Sequence, residues 1–223
     1  MRHVQDFMER KGFLSGLSVE NAVRPMILDS WTRCVQGGLP TEPQSLTLRR
    51  VSDDELSQRL EHNRELVEIT RPYLRLISTV LEPITHTAYL VDRQGIVLES
   101  SGNVPDLSRN VELLPGYDWS ERAMGTNGAG TALATRQAVA VIGAEHFMRH
   151  LHDCVSTAAP VHDAAGVIIG ALAVAGSTTD AAPDRLKLIA QLASMIGQGL
   201  SSGPEATNAS GAYKTVARDW KHT

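Results

Sequence analysis

The spacing of apolar positions divides the 223-residue chain into four stretches. Residues 1–50 carry short helical patterns. The clearest is Val23, Met26, Ile27, Trp31, Cys34 and Val35, which recur at three- and four-residue steps and trace one stripe on a helix. Gly37-Gly38 ends that helix, and Pro40 with Pro43 prevents an early restart. A second helix opens at Ser52, where Ser52-Asp53-Asp54-Glu55 has the spacing of a capping box. Leu56, Leu60, Asn63, Val67, Thr70, Leu74, Ile77 and Leu81 then alternate steps of four and three, a heptad seam with polar Asn63 and Thr70 in a-like positions. Pro72 is expected to interrupt the series, because a mid-helix proline removes a hydrogen bond and clashes with the preceding turn. The pattern predicts two helices, residues 53–70 and 72–83, or one kinked helix. The seam reads either as the apolar face of a helix lying on a sheet or as a parallel dimer interface.

From residue 86 the period drops to two. Thr87 to Asp92, an Arg93-Gln94-Gly95 turn and Ile96 to Ser100 predict a β-hairpin. Ser120 can cap a helix toward Met124, Gly125-Thr126-Asn127-Gly128 breaks it, and Ala129 to Thr135 resumes it. Ala138 to Gly143 reads as a strand, and Glu145 to His152 as a connection with helical turns. Cys154 to Val161, the Asp163–Gly166 turn and Val167 to Ala175 form a second hairpin, and Pro183 opens a closing helix through Leu200. This order predicts an α+β fold, a mainly antiparallel sheet sandwiched by helices and preceded by N-terminal helices. The expected organisation is an N-terminal helical segment at 1–50, further helices at 51–83, an α+β core at 84–200 and a linker and tail at 201–223.

Composition narrows the function. Apolar residues make up 42% of the chain and aromatics only 4%, so the core must be mainly Ala, Val, Leu and Ile. A net charge of −4 argues against a basic nucleic-acid-binding face. The start has no apolar leader, and the longest apolar run, Val167 to Ala175, is about half a membrane span and carries Gly170, so a soluble cytoplasmic protein is expected. Cys34 and Cys154 form no CxxC pair and read as free thiols in a reducing compartment. No phosphate loop, HExxH zinc helix or GxSxG elbow occurs, which favours a binding or sensing module over an enzyme.

Five ordered motifs carry a resemblance: Gly116-Tyr117-Asp118-Trp119-Ser120-Glu121, Gly125 through Leu133, Gly143-Ala144-Glu145-His146-Phe147, Cys154 through Asp163, and Gly166 through Gly170. Together they resemble the GAF sensor domain of bacterial sigma-54-dependent transcriptional activators of the acetoin- and glycerol-catabolism type. Ser30-Trp31-Thr32-Arg33-Cys34 with Gly38-Leu39 resembles the short helical motif that precedes that domain. The chain departs from the pattern at Ile196-Gly197, where such domains often carry an acidic residue. The resemblance also implies an ATPase domain and Fis-type DNA-binding helices, which this sequence lacks. It is therefore expected to be an excised or stand-alone sensor. The implied function is sensing a small-molecule effector and relaying occupancy through the flanking helices, with a homodimer expected and neither nucleic acid nor membrane contacted by this chain. Partner-enzyme sensing, as in glycerol-type relatives, is the rival. Thiol-based methionine sulfoxide reduction and metal-dependent gas sensing, both known among GAF domains, are further alternatives.

The ligand-binding candidates are Trp119, Glu121, Met124, Thr126, Asn127, His146, Phe147 and Cys154, because aromatic walls with a few converging polar groups suit a small-molecule site. Plain core packing competes for Trp119, is favoured for Phe147, and fits Trp31 better than ligand contact. The glycines of Gly128-Ala129-Gly130 begin like a dinucleotide fingerprint but follow a helix rather than a strand, which favours tight helix joining. Glu145, His146, His150, His152 and Cys154 are potential metal ligands within ten residues. The spacings conflict, however: an i, i+4 pair at 146 and 150 needs a helix, whereas 150, 152 and 154 share a face only in a strand. A bracing hydrogen-bond cluster is preferred, and no metal, cofactor or catalytic residue is assigned. Cys154 is expected to be buried and unreactive, and Cys34 too remote to serve it as a resolving thiol.

Overall fold

The computed structural model describes residues 23–42, 48–81, 86–102, 113–180 and 183–202. Patterns assigned to 1–22 and 203–223, including the tail, lie outside them. Strands β1 (His86–Asp92), β2 (Val97–Gly102), β3 (Val139–Ile142), β4 (Cys154–His162) and β5 (Ile168–Ser177) form one antiparallel sheet in the order β2-β1-β5-β4-β3. The two hairpins predicted from the period-two pattern are both present, joined edge to edge by β1 and β5.

Side chains alternate across the sheet. Ala88, Leu90, Leu98, Ala159, Val161, Leu172 and Val174 point to one face, and α3 (Arg64–Val80) and α6 (Pro183–Ser202) cover it. Tyr89, Val91, Ala158, Ala171, Ala173 and Ala175 point to the other, under α1 (Pro25–Gln36), the short α4 (Glu121–Met124) and α5 (Gly128–Thr135). This is the expected α+β sandwich. Residues 25–36 do not stand apart from it: Ile27, Trp31 and Cys34 are at most 2% exposed and belong to the sheet's own core. Among the described residues no helix is long and apolar enough to cross a membrane.

One expectation about the heptad region is corrected and one left open is decided. The helix breaks at Asn63, between α2 (Asp53–His62) and α3, and runs unbroken through Pro72. The N–H that Pro72 lacks would have bonded the carbonyl of Glu68, an exposed residue, so the missing bond falls on the solvent side where its cost is least. At Asn63 the backbone leaves the helical region, and its side-chain amide donates to Arg59 O at 2.8 Å, closing the end of α2. Of the two readings of the seam, the structure bears out the apolar face of a helix lying on a sheet. Val67, Thr70, Leu74, Ile77 and Leu81 are buried against the chain's own sheet and α6, so this half of the repeat is an internal face. Its four-three stepping arises because a helix on a flat sheet and a helix in a coiled coil need the same apolar stripe.

A Cβ on Gly197 would meet His162 O at 2.3 Å, so α6 lies on β4 only because this position has no side chain. That contact supplies the physical reason for Ile196-Gly197.

Candidate functional site

All eight candidate residues are at most 8% exposed, and the structure places them on the side of the sheet that α1, α4 and α5 cover. Trp119, Met124, Phe147 and Cys154 belong to one apolar cluster with Trp31 and Cys34 of α1. Ser120 caps α4 by accepting from Ala123 N at 3.3 Å, which sets Glu121 at the first helical position with its carboxylate directed under α1.

Glu121 is the hub of the polar network. It accepts from Arg33 Nε at 2.6 Å and Arg33 Nη2 at 3.0 Å, from Thr131 Oγ1 at 3.2 Å, and from Ser30 Oγ in a short contact. Ser30 Oγ also lies 2.6 Å from Thr126 Oγ1, and Cys34 Sγ lies 3.8 Å from the same hydroxyl. Three of these partners, Ser30, Arg33 and Cys34, sit at i, i+3 and i+4 on α1 and therefore face the site together. The candidate set omits Ser30, Arg33 and Thr131. The signal for the first two was available: Ser30-Trp31-Thr32-Arg33-Cys34 stood out as a motif, and Ser30 is a polar residue on the buried stripe.

The Asn127 side chain is engaged by backbone groups. Its Oδ1 accepts from Gly130 N at 2.9 Å to cap α5, while its Nδ2 donates to Gly125 O at 2.8 Å and Trp119 O at 3.2 Å. Each of these amide bonds goes to backbone, so Asn127 braces the junction of α4 and α5. Gly130 explains the tight join: a Cβ there would meet Glu121 N at 2.4 Å and Ser120 C at 2.8 Å. The glycine segment thus brings α5 against the start of α4, the packing role preferred over a phosphate cradle.

The histidine segment forms neither of the regular elements considered. Two short 3-10 turns, Gly143–Glu145 and Arg149–Leu151, flank His146. His146 Nδ1 lies 3.0 Å from Gly143 O, a group that can only accept, so Nδ1 carries the proton. His146 Nε2, 2.9 Å from Ser156 Oγ, then accepts the hydroxyl proton, and Ser156 Oγ in turn accepts from Gly128 N at 2.8 Å. Burial, opposed by the bond to Gly143 and reinforced by His152 and His150, pulls the imidazole down to about 4. His146 is therefore a neutral brace between the segment, β4 and α5. Among the described residues no three His, Cys, Asp or Glu side chains converge to hold a metal ion.

Both thiols are buried, and desolvation pushes each up to about 11, so neither is a thiolate nucleophile near neutral pH. Cys34 on α1 and Cys154 at the start of β4 are both free thiols within the large apolar cluster on this side of the sheet. The site thus offers one clamped carboxylate, hydroxyls and an apolar lining.

The comparisons with known proteins agree with this architecture. The chain is 33% identical over 196 residues to a 47.3 kDa protein in the thcA 5' region of Rhodococcus erythropolis, covering 83% of the chain and 43% of that protein. It is 30% identical over 186 residues to the acetoin dehydrogenase operon transcriptional activator AcoR of Bacillus subtilis, covering 80% of the chain and 30% of AcoR. It therefore spans less than half the length of these relatives. In fold it is similar to the structure of the E. coli DhaR(N)–DhaL complex, with a TM-score of 0.76 at 19% identity, covering 86% of this chain and 66% of that one. The family described as MimR, N-terminal domain, matches residues 4–198. The chain accordingly belongs to the MimR N-terminal domain family, a regulatory domain of transcriptional activators.

Proposed function

We propose that this domain senses a small-molecule effector on the sheet face beneath α1 and relays occupancy through its helices to the ATPase and DNA-binding parts of a sigma-54-dependent activator. In this reading it is a GAF-type sensor that performs no catalysis. The observation that carries it is the Glu121 hub, where one buried carboxylate joins α1, α4 and α5 through side chains alone. A molecule that competes for the Glu121 or Thr126 contacts shifts the position of α1, and such a shift is the differential contact that any relay requires. Trp119, Met124 and Phe147 supply apolar walls, and Thr126 and Glu121 the orienting groups. Self-association belongs to this reading only through surfaces outside the Val67–Leu81 face, which the chain's own core occupies.

A protein partner is the second reading, supported by the DhaR(N)–DhaL complex and by Ile142 and Val167, exposed at 44% and 52% on β3 and beside the β4–β5 turn. A thermal-shift screen of small neutral metabolites against wild type and Glu121→Gln separates the two. The effector reading predicts a saturable stabilisation, about 2.7 kcal/mol at a hundredfold excess over Kd, that Glu121→Gln weakens. No shift with any metabolite counts against it and favours the partner.

A further inference from the structure

Strand β1 carries two buried hydroxyls that have no hydrogen-bond partner among the described residues, Tyr89 OH and Thr87 Oγ1. Tyr89 is 0% exposed and Thr87 4%. Two positions apart on a strand, they point to the same face, the one beneath α1, since Tyr89 and Val91 belong to that cluster while Ala88 and Leu90 belong to the opposite one. Across the sheet Tyr89 is paired with Ala173, which is paired with Ala158, and Thr87 is paired with Ala175. The sheet positions flanking both residues on this face are therefore alanine, whereas the opposite face carries Leu172, Val174 and Val161. Trp119 stands over Tyr89, with ring centroids 6.4 Å apart and planes tilted by 54°.

A buried O–H with no acceptor costs about 1–3 kcal/mol, and native cores leave few such groups unless something else completes them. Burial, reinforced by Cys154, raises the Tyr89 phenol far above neutrality, so it remains an O–H donor. The Glu121 carboxylate is already matched by Arg33, so this charge is not left free to attract an ion.

We infer that Tyr89 is the polar anchor of the effector site, donating its O–H to an acceptor oxygen of a small neutral molecule seated over Ala158, Ala173 and Ala175, with Thr87 as a second hydroxyl. This rests on the proposed sensing face and adds a specificity-determining residue and a ligand class to it.

The test compares 2-butanone with 2-methyl-1-butene, which has a similar shape but lacks the oxygen, by ligand titration of the wild-type chain and Tyr89→Phe. Wild type should bind the ketone saturably. Tyr89→Phe should weaken that binding about tenfold, equivalent to ~1.4 kcal/mol, leave the hydrocarbon's affinity unchanged, and fold at least as stably as wild type. Should that variant misfold, the ring-carbon shift of Tyr89 in 13C-tyrosine-labelled wild type gives the same answer, moving with the ketone and not with the hydrocarbon. Equal ketone affinity in the two proteins, a Tyr89 resonance indifferent to the ketone, or no saturable ketone binding to wild type overturns the inference. Tyr89-dependent binding that leaves amide exchange in α1 untouched upholds the anchor and sinks the relay. Exchange that responds to another metabolite with no dependence on Tyr89 does the reverse.

Discussion

Arg33 and Glu121, 88 residues apart, meet in a two-point clamp with Nε to Oε2 at 2.6 Å and Nη2 to Oε1 at 3.0 Å. The guanidinium side is 41% exposed and the carboxylate only 9%, so the pair runs from the surface into the core. The hydrogen bond to Glu121 pushes the Arg33 guanidinium further above its usual value despite its partial burial. This joins α1 to the interior of the sheet face that it covers.

Arg33→Met should therefore destabilise the domain by about 1–3 kcal/mol, the cost of leaving a buried carboxylate short of its charged partner. Glu121→Gln in the same background should recover part of the loss. Urea unfolding of both single variants and the double variant gives the coupling directly, and a coupling of zero would mean that the clamp contributes nothing.

Gly130→Ala tests the α4–α5 contact. The added Cβ meets backbone atoms at 2.4 and 2.8 Å, so the helices must part, at a cost of about 1–3 kcal/mol. Thermal unfolding measures it; an unchanged midpoint would show that the contact relaxes freely.

His146 predicts a specific pH dependence. Its folded value, about 4, lies below the 6.5 of an unperturbed histidine, so the unfolded chain binds more protons between those limits. The stability is fully present above pH 6.5 and is lost as pH falls toward 4, by roughly 3 kcal/mol in the limit. His150 and His152, both lowered chiefly by burial, act in the same direction. Denaturant unfolding between pH 4 and 8 should show this slope, and His146→Gln should flatten it. Equal slopes in the two proteins would mean that the imidazole is not held neutral.

Asn63→Leu distinguishes the two meanings of the heptad seam. Loss of the amide bond to Arg59 O should cost about 0.5–1.5 kcal/mol, with no change in sedimentation, because the seam beyond it is already covered. A shift in oligomeric state would restore the dimer reading.

The sequence made the sheet legible because each hairpin pairs a period-two run with a short turn, as at Arg93-Gln94-Gly95 and Asp163–Gly166. Helix punctuation was partly misleading. Pro72 outranks Asn63 as a breaker by propensity, yet the tertiary position of Glu68 on the solvent side makes the proline tolerable. The candidate face was half legible. Trp119, Glu121, Met124, Thr126, His146, Phe147 and Cys154 all lie on one buried face, but the residues that clamp Glu121 belong to α1, and no local pattern states which face of a helix will meet a carboxylate 88 residues away. The unpartnered Tyr89 hydroxyl could not be read from sequence at all, since a tyrosine in a strand looks the same whether or not its oxygen is paired.

Hydrogen–deuterium exchange of residues 25–36, followed while a stabilising small neutral metabolite is titrated into the domain, tests the sensing reading most directly. Saturable occupancy should change the exchange of α1 over the same concentration range as it stabilises the fold, and Arg33→Met should abolish that linkage. A metabolite that binds and stabilises the domain while α1 exchange stays constant would contradict it.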